Sequence, residues 1–348
     1  MTSDNTKKIP ALRGIFNFVI SIGLAALFLY LAFYDVDFSE VLQIVSHASI
    51  FWMIGFILLS MSGHVVRTVR WKVILHSVKP DAKIKHLFGA LMVGYGVNCI
   101  TPKLGEVTRA MLIGKWENLS RSSMFGTVIV ERVIDILSLG AAVLVSAFIW
   151  SSSLYESFPW LKSTLYVSAI LMIIVLTLIY LSVKFKEKFY GAILKIIGKL
   201  SVKLSDRLGY IFEMLIQGFT SLKGARNYLL TALLSILLLI VYALAAFVGF
   251  YMLDMQNVTL TMGWVLMSIS AIGTVIPTPG ATGSYHALAK STLVLLFGFG
   301  ETISAAYAFL THIISYILFI LIALIMFLIL NKQHINLFKY LKTNNDKK

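Results

Sequence analysis

Asn98-Cys99-Ile100-Thr101-Pro102-Lys103-Leu104-Gly105 closes an apolar run, 86–100, that is too short to cross a bilayer. About 20 apolar residues are needed to span roughly 30 Å of hydrocarbon. Arg67, Arg70, Lys72, Lys79, Lys83 and Lys85 precede the run, and Arg109, Lys115 and Arg121 follow it. Cytoplasmic loops collect Lys and Arg, so both flanks are assigned to the cytoplasm. A chain that enters and returns on one side through such a break reads as a re-entrant helical hairpin with its tip near Pro102. The run 262–276 repeats the pattern. It ends in Pro277-Thr278-Pro279-Gly280-Ala281-Thr282-Gly283, and an apolar leg, 284–299, follows. Its flanks, 254–261 with Asp254 and the position of Glu301, carry no cation and are assigned to the outside. This second hairpin therefore dips from the opposite face. The alternative is ordinary proline-kinked spans.

Around the two breaks lie six stretches long enough to cross a membrane, roughly 15–34, 48–66, 122–150, 163–183, 228–253 and 302–330. The first follows Lys7, Lys8 and Arg13 but is longer than a signal-peptide core and lacks a small-residue cleavage site, so it reads as a retained span. Segment 35–47 carries Asp35, Asp37 and Glu40 and no cation, whereas segment 184–226 has nine Lys and Arg and the C-terminus five. The expected fold is an all-α polytopic protein of the cell (inner) membrane, a single membrane domain over 1–348. It has six spans, both termini in the cytoplasm and two oppositely directed hairpins in an inverted-repeat-like arrangement. Non-helical backbone at membrane depth is tolerated only inside protein or along a wet cavity. Broken elements in corresponding halves point to a transport site near the midplane.

Composition agrees. Hydrophobic residues make up 58% of the 348 and charged residues 13%, against about half and a quarter in soluble domains. A soluble enzyme, a disordered chain and a disulfide scaffold are excluded; the lone Cys99 cannot form an internal disulfide. The net charge of +14 sorts by position: all Lys and Arg except Lys103, Arg132, Lys162 and Lys290 lie on segments assigned to the cytoplasm. It is therefore a topology signal and an attraction to an anionic leaflet, not a nucleic-acid footprint. Within 184–226, Phe189, Ile193, Ile196, Leu200, Leu204, Leu208 and Ile211 recur at helical spacing, with Lys195, Lys199 and Lys203 on another face. That is an amphipathic cytoplasmic segment, lying either in the membrane interface or on the bundle.

Charges inside the apolar stretches mark the candidate site. Glu131 and Asp135 share a face of the span 122–150, with Arg132 about 100° round. Each costs about 2.5–3.5 kcal/mol at a span centre unless paired or wet. Lys103, Glu106 and Arg109 follow the first tip. These six near-balanced charges suit a zwitterionic or phosphate-bearing headgroup, where guanidinium forks match phosphate oxygens; pure internal pairing is the alternative. His286 and Lys290 follow the second tip at i,i+4 and complete the substrate-binding candidates, while His312 lies within the last span.

Three motifs, Asn98-x3-Pro102-x2-Gly105-Glu106-x2-Arg109, Glu131-Arg132-x2-Asp135 and Pro277-x-Pro279-Gly280-x2-Gly283, resemble the flippase-like transmembrane region of lysylphosphatidylglycerol synthases. The resemblance covers essentially the whole chain. It departs at Lys103, Ala281 and His286, where the family more often has Arg, Gly and Glu. It implies paired re-entrant elements and the movement of phospholipids or polyprenyl-linked lipids between leaflets, without the soluble aminoacyl-transferase domain. Asn98, Pro102, Gly105, Pro277, Pro279, Gly280 and Gly283 are then hairpin-tip residues. The leading expectation is a lipid translocase whose partners are membrane lipids. The sequence calls for no cofactor and no metal, and no Walker motif is present. The runner-up is a membrane subunit of a lipid-modifying transferase system. Ser284 with His312 leaves a hydrolase reading, and a scaffold role is the last alternative.

Overall fold

The computed structural model describes residues 8–150 and 224–331, with isolated helical positions between them. Most of the basic segment 184–226 and the expected span 163–183 lie outside the described residues. Every regular element among those described is helical.

α1 (Lys8–Phe33) ends in a turn, and α2 (Phe38–Ser46) leaves it at 82°. Asp37 starts α2 as its N-cap, accepting from the Ser39 N–H at 2.8 Å. The acidic segment expected as an external loop thus contains a helix. α3 (Ile50–Leu75) is longer than the expected span 48–66. No Gly or Pro falls between His64 and Lys79 to stop it, so Arg67 and Arg70 belong to the helix and not to a cytoplasmic loop. α4 (Ile84–Ile100), α5 (Leu104–Trp116) and α6 (Arg121–Ile149) follow, the last capped by Ser120. After the undescribed stretch come α7 (Ala225–Met252), α8 (Leu260–Gly273), a 3-10 turn at Pro279–Ala281, α9 (Ser284–Ser291) with a π turn at Thr292–Leu296, and α10 (Glu301–Asn331).

α3, α7 and α10 are long and apolar enough to cross a membrane, and α1 with α2 makes a fourth candidate. α4 and α8 are shorter apolar helices. α6 has the length of a span but carries the three charges.

Both breaks are helical hairpins. α4 and α5 fold back around a turn that holds Lys103 at φ 63°, in the left-handed region. Their backbones touch: a Cβ added at Gly94 would lie 2.9 Å from the Gly105 carbonyl oxygen. Asn98 Oδ1 accepts from the Gly105 N–H at 2.8 Å and closes the turn. α8 folds back on α9, and the Ser284 hydroxyl donates to the Gly273 carbonyl at 2.7 Å. Gly283, at φ 84°, lets this tip press on α1, where a Cβ would sit 2.5 Å from the Ala25 carbonyl oxygen.

α10 ties the two tips together. Tyr316 Oη donates to the Cys99 carbonyl at 2.6 Å, and His312 Nε2 lies 3.0 Å from the Gly280 carbonyl oxygen. Two apolar cores support the tips. One joins Phe250, Leu293 and Tyr307 with neighbours from α2, α3 and α8. The other joins Trp71, Ile74, Leu87, Ile113 and Met124 where α3 to α6 converge.

Candidate functional site

The i,i+3 spacing of Arg67 and Arg70 turns both guanidinium groups of α3 toward α6, where Glu131 and Asp135 share a face. Glu131 is fully buried. Its Oε1 accepts from Arg67 Nε at 2.8 Å and lies 3.5 Å from Arg70 Nη2. Its Oε2 is 2.7 Å from Arg109 Nη1, in ion-pair contact without hydrogen-bond alignment. Asp135 accepts from both Arg67 and Arg70. Arg70 Nη1 also donates to the Ser235 hydroxyl of α7 at 3.0 Å. Arg109, on α5, packs its guanidinium over Trp71 at 5.0 Å from the ring centre. The cluster therefore clamps α3, α5, α6 and α7 together.

Arg132 is held more loosely. Its side chain is 34% exposed, its Nε is 3.5 Å from Glu106 Oε1, and its Nη1 is 3.4 Å from Asp135 Oδ2. Asn98 Nδ2 donates to Glu106 Oε2 at 3.3 Å, so the hairpin tip orients the acid. Sequence reasoning counted six nearly balanced charges here. Arg67 and Arg70 change that balance. Among the described residues four arginines face three acids, one positive charge remains, and exposed Lys103 adds a second.

This cluster lines part of a cavity of about 750 Å³. Arg67, Lys103, Glu106, Arg132 and Asp135 are in its wall. Pro277, Thr278, Gly280 and Ala281 of the second tip line it as well, and the rest of the wall is mainly apolar, including Leu239, Tyr242 and Phe319. One compartment thus reaches both hairpin tips, and its size and lining are those of a ligand site with a few convergent polar groups.

Of the sequence candidates, Asn98, Pro102, Lys103, Glu106, Arg132 and Asp135 line the cavity, and Arg109 and Glu131 stand directly behind it. His286 and Lys290 are not brought to it. His286 is buried beside Phe33 and His312, its Nδ1 accepting from the Gly283 N–H at 3.2 Å. Lys290 pairs with half-exposed Glu301 at 2.6 Å. Ser284 donates to the Gly273 carbonyl and His312 approaches the Gly280 carbonyl instead of each other, which removes the pair on which a hydrolase reading rested. Sequence reasoning missed Arg67, Arg70, His64, Tyr95 and Tyr242 as members of this site. The readable signal was the unbroken helical continuation past residue 66.

The chain is 24% identical over 266 residues to a UPF0104 membrane protein of Methanothermobacter thermautotrophicus, covering 72% of this chain and 76% of the relative. It is 22% identical over 315 residues to a UPF0104 membrane protein of Methanocaldococcus jannaschii, covering 86% and 90%. A UPF0104 membrane protein of Pyrococcus horikoshii is 24% identical over 294 residues, covering 79% and 86%. No solved structure matches. The profile described as the lysylphosphatidylglycerol synthase TM region matches residues 18–323, most of the chain. The protein is a membrane protein of the lysylphosphatidylglycerol synthase transmembrane-region family.

Proposed function

We propose that this protein is a lipid translocase of the cell membrane. It admits a phosphate-bearing headgroup to the central cavity while the acyl or prenyl chains stay in the bilayer. The observation that carries this reading is the cavity itself, which joins a net-positive arginine cluster at one hairpin tip to the other tip. Excess positive charge favours an anionic group over a neutral one, and Arg132 lines the space with its side chain a third exposed and its Nε without a hydrogen bond. Arg67, Arg70 and Arg109 hold the acids, so they position the wall; Arg132 and Lys103 meet the headgroup. The hairpins α4–α5 and α8–α9 are re-entrant from opposite faces and gate the cavity, with both termini in the cytoplasm. The family description names a synthase of an aminoacylated phosphatidylglycerol, and a phosphodiester headgroup suits these cations. A separate transferase acting on the same lipid is compatible with this role.

The test is transport and retention of lipid together. Protein reconstituted in vesicles is given headgroup-labelled phosphatidylglycerol, and protection of the label from an external quencher is followed. Co-purified lipid is weighed by native mass spectrometry. The reading expects transport and a bound phospholipid in the wild type and loss of both in Arg132→Ala. An inactive wild type under every imposed gradient, with no phospholipid bound, would refute it.

A further inference from the structure

We infer that His64 is the proton-binding residue of this cavity, so that an anionic headgroup and a proton enter it together. The inference rests on the lipid-site reading above and adds the ion to which the site is linked.

His64 lies on α3 one turn before Arg67 and lines the cavity. It is 7% exposed. Its ring is walled by Tyr95 of α4 at 5.1 Å, Phe319 of α10 at 5.2 Å and Tyr242 of α7 at 6.3 Å between ring centres. Its Nδ1 is buried and makes no hydrogen bond. Buried polar atoms are almost always satisfied, and leaving one unpaired costs free energy. A histidine kept only for packing has no need of an unpaired nitrogen at the edge of a cavity.

The neighbouring charges single it out further. The titratable and charged groups facing it are Arg67 on its own helix, Tyr95 and Tyr242; α6 meets this face through Glu131 and Asp135, both held by Arg67. Each acid of the cluster is already committed to arginine: Glu131 to Arg67 and Arg109, Asp135 to Arg67 and Arg70, Glu106 to Arg132. The arginines stay charged. Of these side-chain types, histidine is the one whose unperturbed charge change falls between about pH 5 and 8. An anion placed in the cavity favours the imidazolium relative to the empty cavity, because opposite charges attract strongly away from bulk water. By reciprocity, a proton on His64 tightens anion binding by the same factor. A singly charged phosphodiester carried with one proton moves no net charge across the membrane, which makes a proton gradient a usable driving force.

The experiment uses the full chain in phosphatidylcholine nanodiscs, titrated calorimetrically with dihexanoyl phosphatidylglycerol, whose phosphodiester keeps one charge throughout. Titrations at about pH 5.5 and about pH 8, each in two buffers of different ionisation enthalpy, count protons taken up per probe. The wild type is expected to bind about tenfold more tightly at the lower pH and to take up protons on binding. In His64→Gln, and in His64→Asn should the first variant not fold, uptake disappears and affinity stays at the wild-type high-pH value. Binding by the wild type without uptake and with equal affinity at both pH values would overturn the role of His64 alone. Uptake that persists in a folded variant would do the same. A probe that binds the wild type at neither pH would overturn the lipid-site reading, and this inference with it.

Discussion

Replacing Glu131 by Gln tests whether the arginine cluster is held by one buried carboxylate. Glu131 is fully buried and meets Arg109 at 2.7 Å, Arg67 at 2.8 Å and Arg70 at 3.5 Å. Arg67 and Arg70 retain Asp135 after the substitution, whereas Arg109 pairs with Glu131 alone among the described residues. Arg109 is 2% exposed. Leaving one partner of a buried ion pair uncompensated costs about 3–5 kcal/mol. Arg109→Gln leaves Glu131 with two arginines and orphans no cation, so its cost is smaller, about 1–3 kcal/mol for one buried oxygen left without a partner. In the double variant the orphaned charge is gone, and the loss falls short of the sum by roughly 0.5–3 kcal/mol, the range seen for groups in one network. The assay is equilibrium unfolding in mixed micelles with increasing fraction of denaturing detergent, read by tryptophan fluorescence. Glu131→Gln within about 1 kcal/mol of wild type, far below the range for a broken buried pair, would refute the reasoning. So would single-variant losses that add to within about 0.5 kcal/mol.

Gly105→Ala drives a Cβ into the Gly94 carbonyl oxygen and to 2.7 Å from the Asn98 side chain; backbone cannot give way as a side chain does, so the hairpin opens and stability falls by at least about 1–3 kcal/mol, measured in the same unfolding assay. Gly283→Ala adds left-handed strain at φ 84° and a clash with α1. It is expected to free α1 from the second tip, read as loss of a crosslink between Cys residues introduced on the two. Lys290→Gln removes an ion pair with half-exposed Glu301. It should cost at most about 1 kcal/mol and leave phospholipid retention unchanged by native mass spectrometry. Tyr316→Phe deletes the 2.6 Å bond to Cys99. It should cost about 0.5–1.5 kcal/mol and speed hydrogen exchange at the amides of residues 101–104.

Much of the architecture was readable from local pattern. Apolar length placed α1, α6, α7 and α10 to within a few residues, except that α1 begins before residue 15. The proline-glycine breaks located both hairpin tips, and the i,i+4 spacing put Glu131 and Asp135 on one face. These are properties of a helix alone: apolar residues seek lipid, and glycine and proline interrupt the hydrogen-bond ladder. α2 was overlooked although Asp37 and Ser39 spell an N-cap, because three acids in a short segment also describe an external loop. Counting cations by segment could not reveal the helical, paired state of Arg67 and Arg70, for a stronger reason. An arginine after an apolar run is interfacial unless an acid compensates it, and here the acids lie 64 to 68 residues further along the chain. The contact of the two tips through Cys99, Gly280 and Tyr316 likewise spans up to 217 residues. The amino-acid order therefore specified which segments are helices in a membrane, where they break and which charges are embedded. Tertiary packing alone decided which embedded charges neutralise each other, which two remain to face the cavity, and that the cavity reaches both tips, because those outcomes depend on distances between helices that no single helix encodes.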